Sequence, residues 1–365
     1  MVDAERFSLC EMCAERQGGD AAFELVDSPG CFICRGLTSS LGPTERRVAR
    51  MSSGYEFETF SIGMVLPAGL QEREDQLRSQ LRLRGRSTIK SQLSGKIGSF
   101  IQSELDKEVD RLHPDLTAVV DLATDTVKLT TKSIFLYGRY TKPRGLSQRR
   151  DVCERCNGRG CGACDGGYAK AASLEAIIER KLVRLLGAQR IKFTWFGSED
   201  PESLVYPPGR PFIAEVKNPK KRRVPYRLAL RTGRGLARVS GLKALKGRPL
   251  SIPSFSFETR AFIESREPVD EGAIRSKGVK GTILVEYRNN KDKVVTKRVY
   301  RMRLRARGTR LVADIKLDGG LPVKRFVGGD SVSPSLSELL KTPLRCQRFD
   351  ILKVWESGEL KFGKI

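Results

Sequence analysis

The stretch GRYTKPRGLSQRRDVCERCNGRGCGACDGG, residues 138–167, sets a run of cations against four cysteines spaced Cys153-x2-Cys156-x4-Cys161-x2-Cys164. Two residues between cysteines let both thiolates of a knuckle turn toward one tetrahedral ion at about 2.3 Å, and two knuckles complete a closed four-thiolate zinc site. The glycines between them let the backbone reverse around the ion and expose amides to the sulfurs. The same spacing recurs at Cys10/Cys13 and Cys31/Cys34, and only Cys346 is left over. Disulfides and a redox pair are the competing readings. A CxxC disulfide closes too small a loop to stabilise much, and the sequence shows no secretory signal. Eight thiolates therefore predict one or two structural zinc ions, with their partition between ions open. The longer loop between the first two pairs makes Cys10, Cys13, Cys31 and Cys34 the looser site.

Charge is the second signal. The 365 residues carry 67 Lys plus Arg against 43 Asp plus Glu, a formal net charge of +24 and a pI near 9.9. A merely soluble charged surface mixes both signs, so this excess predicts a polyanionic partner. The lone histidine, His113, excludes a two-histidine zinc catalyst. No run of eighteen apolar residues predicts a membrane span, and the expected location is cytoplasmic.

Periodicity divides the chain into a CxxC module over 1–54, an α/β unit over 55–150, a zinc knuckle junction over 151–170 and a larger β-rich domain over 171–365, an α+β chain overall. Phe60, Ile62, Met64 and Leu66 alternate as one face of a strand. Helices follow over 71–83 and from Ser87, the latter with Ile89, Leu93, Ile97, Phe100, Ile101, Leu105 and Val109 on one stripe. Strands are predicted at 117–122, 126–131 and 133–140. Ser173 is placed to cap a helix that Gly187 stops. A strand over 190–196 then delivers the chain into an acidic turn, GSEDPES.

That turn holds Glu199, Asp200 and Glu202 between basic flanks. A carboxylate held among cations stays ionised and can act as a nucleophile, although a solvated loop is the competing reading. The run KNPKKRR, with Lys217, Lys220, Lys221 and Arg222, would grip phosphates or simply form a solubilising face.

Phe57 to Gln148 carries EREDQLR, TIKSQLSGKIG, PDLTAVVDL and SIFLYGRYTKPRGLSQ, and resembles a THUMP domain, an RNA-binding module of tRNA-modifying enzymes. The succession GRYTKPRGLSQ, CERCNGRGCGAC, GSEDPESLVYPPGRPF and, later, LPVKRFVGGDSVSPSLSELL resembles the archaeal and eukaryotic tRNA pseudouridine synthases of the Pus-ten type over most of the chain. The resemblance implies a THUMP-like domain followed by a mixed-sheet pseudouridine synthase-like catalytic domain, with tRNA as partner, zinc as a structural ion and no organic cofactor. It implies isomerisation of a uridine in the TΨC arm, at position 55, with 54 open.

Residue by residue, the family's nucleophilic aspartate falls on Asp200, the basic residue that pairs with it on Lys324, and an apolar neighbour on Phe326. Arg210 of GRPF joins the expected substrate-binding residues. Ser198 stands where the family has an arginine, Glu202 where it has a second aspartate and Leu204 where it has another arginine. Thr259 and Pro322 stand where it has tyrosines, leaving Phe257 or Phe262 to offer a ring to the target base. A non-catalytic, zinc-dependent tRNA-binding protein of the same fold is the alternative.

Overall fold

The computed structural model describes residues 7–18, 23–84, 86–164, 168, 172–269, 281–289 and 292–363. The glycines at 166 and 167 that close the second cysteine block lie outside these residues. Packing divides the chain into one unit of residues 1–133 plus 218–222 and another of 134–217 plus 223–365.

The first unit opens with β1 (Ser8–Leu9), α1 (Glu11–Gln17), β2 (Glu24–Leu25) and α2 (Gly42–Ser52). It continues through β3 (Thr59–Val65), α3 (Leu70–Leu81), α4 (Ile89–Leu105), β4 (Glu108–Val109), β5 (Leu116–Asp121) and β6 (Thr126–Thr131). The sheet order is β4-β3-β5-β6, with β3 and β5 parallel and β5 and β6 antiparallel. Leu93, Ile97 and Ile101 recur at helical spacing and bury the inner stripe of α4 against Phe60 and Met64 in a shared core, which also takes in Cys10, Cys13, Cys31 and Cys34. Thr88 rather than Ser87 caps α4, accepting from the Ser91 amide at 3.2 Å. Asp106, left-handed at φ +51°, ends the helix, so Val109 falls on β4 and is exposed.

In the second unit β7 (Ile134–Lys142), α5 (Leu174–Leu186), β8 (Arg190–Trp195), β9 (Val205–Lys217), β10 (Arg227–Thr232), β11 (Gly235–Ala244) and β12 (Ser254–Ser265) follow in turn. Then come β13 (Ile283–Arg288), β14 (Val294–Arg307), β15 (Arg310–Asp318), α6 (Val323–Gly328), β16 (Val332–Ser333), α7 (Leu336–Leu340) and β17 (Leu344–Ser357). One mixed sheet runs β10-β11-β7-β9-β17-β12-β15-β14-β13-β16, with β8 also on β9. The strand read over 133–140 with the preceding unit hydrogen-bonds instead to β9 and β11. Leu311, Ala313, Ile315 and Leu317 of β15 alternate inward while Asp314 and Lys316 face out. Ser173 caps α5 and Gly187, φ +58°, stops it; Leu174, Ile178, Leu182 and Leu186 are all fully buried, each contributing about 1.5–3 kcal/mol.

Candidate active site

The acidic turn is the loop 196–204 between β8 and β9, and the motif GRYTKPRGLSQ builds its support. Glu199 is buried completely. Its carboxylate accepts from the Tyr140 hydroxyl at 2.7 and 2.9 Å, from Arg210 Nη1 at 2.8 Å and from Gln148 Nε2 at 3.2 Å. Arg210, equally buried, also donates to the carbonyls of Phe196 at 2.6 Å and Ser198 at 3.2 Å. A buried charge is tolerated when it is paired and its remaining hydrogen bonds are made, which is the condition met here.

Lys142 closes the next turn of the loop, its ammonium donating to the carbonyls of Asp200 at 3.2 Å, Pro201 at 3.1 Å and Ser203 at 2.6 Å. Burial pulls its pKa down to about 8 against the opposing attraction of Glu199, Glu202, Asp200 and Asp350. Burial, then the adjacent Glu199 charge, hold the Tyr140 hydroxyl well above its ordinary pKa, so it stays a donor. Arg144 bonds the Glu202 carbonyl at 2.8 Å and the buried Asp350 at 2.6 Å, and Asp350 in turn accepts from the Leu204 amide at 3.0 Å. Of the cations in the stretch 138–150, Lys142 and Arg144 are thus committed to this loop, while Arg139 pairs with Glu356 and Arg150 with Glu179.

Gly209 makes the geometry possible. At φ +95° its Cα lies against the backbone of Tyr140, and an added Cβ would meet that carbonyl oxygen at 2.7 Å. The pairing of β7 with β9 shifts register between Tyr140 and Lys142, beside this glycine, and Arg210 turns inward.

What the network leaves free is Asp200. Its carboxylate reaches into a cleft of about 430 Å³ and meets Lys324 Nζ, on α6, at 2.6 Å. Both side chains keep partial solvent access, 32% for Asp200 and 47% for Lys324. Phe257 and Phe349 are the aromatic residues of the lining among the described residues, joined by Leu321, Pro322 and Arg210. Behind the cleft, burial pushes the Cys346 thiol up to about 12, so it is no competing nucleophile at neutral pH.

The cysteines form two separate groups of four, Cys10/Cys13/Cys31/Cys34 and Cys153/Cys156/Cys161/Cys164, with the sulfurs in each within 4.8 Å of one another. A tetrahedron of thiolates about 2.3 Å from an ion separates its sulfurs by roughly 3.8 Å. The Cys10–Cys34 pair stands at 3.6 Å and Cys156–Cys164 and Cys161–Cys164 at 3.7 Å, far beyond a disulfide bond. Each group therefore has the donor set and spacing to hold a metal ion. In the second, the amides of Gly160 and Cys161 donate to the sulfurs of Cys156 and Cys164 at 3.2 and 3.1 Å.

Comparison with known proteins adds an independent line. The family model for the archaeal Pus10 THUMP domain matches residues 45–121, and that for the Pus10 C-terminal region matches 135–241. The tRNA pseudouridine synthase Pus10 of Nitrosopumilus maritimus is 32% identical over 327 residues, 88% of this chain and 85% of that one. The chain belongs to the Pus10 family. Its counterpart from Cenarchaeum symbiosum is also 32% identical, over 95% of this chain and 90% of that one, and the Archaeoglobus fulgidus protein is 30% identical over 95% and 99%.

Against the Pus10 resemblance, the structure brings together Asp200, Lys324, Phe257 and Arg210 at one cleft. Phe326 is fully buried in the core on the inner side of α6 and does not line it. Thr259 is also fully buried, its hydroxyl donating to the Asp350 carbonyl at 2.8 Å across β12 and β17, while Pro322 precedes α6 and borders the cleft. Phe262 lies under the Arg348 guanidinium, 4.1 Å from its ring centroid, and is not part of the lining. Lys217 pairs with Glu215, Lys220 lies 5.4 Å over the Tyr55 ring, and Arg222 bonds Glu56 and the carbonyls of Asp115 and Lys132. Lys221 is exposed. None of these four borders the cleft. Sequence reasoning missed Lys142, Tyr140, Gln148 and Glu199 as a unit. The available signal was that Tyr140, Lys142 and Gln148 all lie in GRYTKPRGLSQ, one quoted motif, and Glu199 in GSEDPES, another.

Proposed function

We propose that this chain isomerises uridine to pseudouridine in the TΨC arm of tRNA, at position 55, with Asp200 as the nucleophile and Lys324 as its charge partner. Membership of the Pus10 family supports tRNA pseudouridylation as the coarse activity. The observation that supports the residue assignment is the division of labour between neighbouring acids. Glu199 spends its oxygens on three buried donors, while Asp200 is presented to an open cleft with one cation beside it.

The chemistry asked of the site is spare. The flipped uridine enters the cleft, and the Asp200 carboxylate attacks the base or the ribose. The N-glycosidic bond breaks, uracil turns and its C5 joins the ribose C1′ while the bond to Asp200 is released; C5 then loses its proton and N1 takes one up, so the product is an isomer of the substrate. Lys324 pairs with the carboxylate, the loop network holds it at fixed position, and Phe257 offers the ring face that Thr259 and Pro322 lack. Zinc is the proposed occupant of both cysteine groups, as a structural ion, and the proposed location is the cytoplasm. Among the described residues no helix is long and apolar enough to cross a membrane.

The test uses unmodified tRNA transcript, with pseudouridine mapped by carbodiimide adduct. Asp200→Ala is expected to abolish product while leaving tRNA affinity within a few-fold of wild type. An unchanged yield would remove Asp200 from its role. Wild type that binds tRNA and forms no pseudouridine would favour a binding protein without catalysis, the reading to which Thr259 and Pro322 lend weight. Affinity should fall by roughly 10³ or more between 50 and 200 mM salt if six to ten phosphates are neutralised.

A further inference from the structure

We infer that the groove between α5 and the β10–β11 hairpin is a second RNA-binding site, one that grips the sugar-phosphate backbone of the substrate away from the reacting base. The groove encloses about 510 Å³ and shares no lining residue with the catalytic cleft. Its helical wall is Ile177, Arg180, Lys181 and Arg184, one stripe at i, i+3, i+4 and i+7, on the face of α5 away from the buried Leu174, Ile178, Leu182 and Leu186. Arg231 stands on the facing wall, and Ile177, Leu230 and Leu236 supply an apolar floor.

The titratable side chains lining the groove are all cationic. None of Arg180, Lys181, Arg184 and Arg231 has an ion pair or hydrogen bond among the described residues, and no acid lines the groove. The acids of α5 point elsewhere, Glu175 accepting from the Trp195 indole at 3.2 Å and Glu179 from the Ile191 amide at 3.1 Å. On the outer face of β12, β14 and β15, by contrast, Arg260, Arg301 and Arg305 are paired to Asp314 and Glu258. Arg180 and Arg184 repel one another at i, i+4, a small local cost that an anion in the groove would reverse. Four unpaired cations on two walls over an apolar floor match phosphates with riboses between them, and guanidinium groups suit phosphate geometry.

This inference rests on tRNA as substrate, so its test separates the two. Arg180→Ala, Arg184→Ala and Arg231→Ala are combined, and tRNA binding is measured by filter retention from 50 to 200 mM salt beside pseudouridine formation. The log–log salt slope should shrink by about two to three, with KM raised and kcat unchanged, because each lost phosphate contact removes about 0.9. The same three positions changed to Lys should keep the wild-type slope, which separates lost charge from lost fold. A triple-alanine variant with wild-type slope and affinity overturns the groove, whatever the groove then takes. A slope that shrinks while wild type forms no pseudouridine leaves the groove standing and removes the proposed reaction instead.

Discussion

The two four-cysteine groups share a spacing and differ in almost everything around it. Cys10, Cys13, Cys31 and Cys34 are all buried, and the network around them reaches distant sequence through Glu74. Arg16 donates to the Cys13 sulfur at 3.6 and 3.7 Å and pairs with Glu74 at 2.6 Å, both side chains hidden from solvent. Glu74 also accepts from the Ile89 amide at 2.9 Å, which ties the group to the start of α4, and Thr38 reaches Cys34 at 3.3 Å. In the other group Cys161 and Cys164 are only partly buried, and the amides that reach its sulfurs come from within the knuckle itself. Spacing ranked the second group as the tighter site. Burial ranks the first as the one on which a fold depends, because its sulfurs are part of a core that also holds Phe60, Leu93 and Ile97.

The sharpest way to break that contrast is Cys13→Ser. Structural zinc in small modules is worth about 10–16 kcal/mol of apparent folding free energy, as much as a whole domain's net stability of roughly 5–15 kcal/mol. Loss of the ion should therefore remove exchange protection from Leu93, Ile97 and Val120 while Leu182 and Phe212 keep theirs. Retained protection at Leu93 would show that the first group is as dispensable as a surface clip.

Glu74→Gln probes the same core without touching a ligand. It leaves the Arg16 guanidinium buried against a neutral amide, and removing one member of such a pair costs about 3–5 kcal/mol. Urea unfolding followed by zinc content should show the first unit melting earlier with its ion still bound at neutral pH. A loss below about 1 kcal/mol would mean that the introduced amide oxygen, Gln92 or water satisfies Arg16 and Arg78, the two guanidinium groups that share Glu74.

Much of the framework was legible because it is local. The alternation of β3, the stripe of α4 and the Ser173 cap are all written in adjacent residues. β11 escaped because glycines at 235 and 241 and a register shift between Ser240 and Lys243 interrupt its period. α6 escaped because six residues give too little periodicity to read. The site was half legible. Motif resemblance named Asp200 and Lys324, which the fold brings together at one cleft, whereas the support from Tyr140, Lys142, Arg144 and Gln148 was not read. Charge counting treats every lysine as solvated, and only the fold shows that Lys142 sits 2% exposed under the loop.

The smallest effect is expected at the second group, and it decides whether the knuckle serves catalysis at all. Cys161→Ser should lower metal content from two ions to one per chain and move the melting of the second unit by no more than about 2–4 °C, equivalent to roughly 1 kcal/mol. Pseudouridine yield at saturating tRNA should stay near wild type. The reason lies in where the loop 196–204 gets its rigidity. Among the described residues its bonds run to Tyr140, Lys142, Arg144, Gln148, Arg210 and Asp350, which all lie outside the knuckle. Should kcat collapse while melting and tRNA affinity hold, the knuckle must position the loop through the segment 143–150. The contrast between the two groups would then be one of mechanism against folding rather than of core against surface.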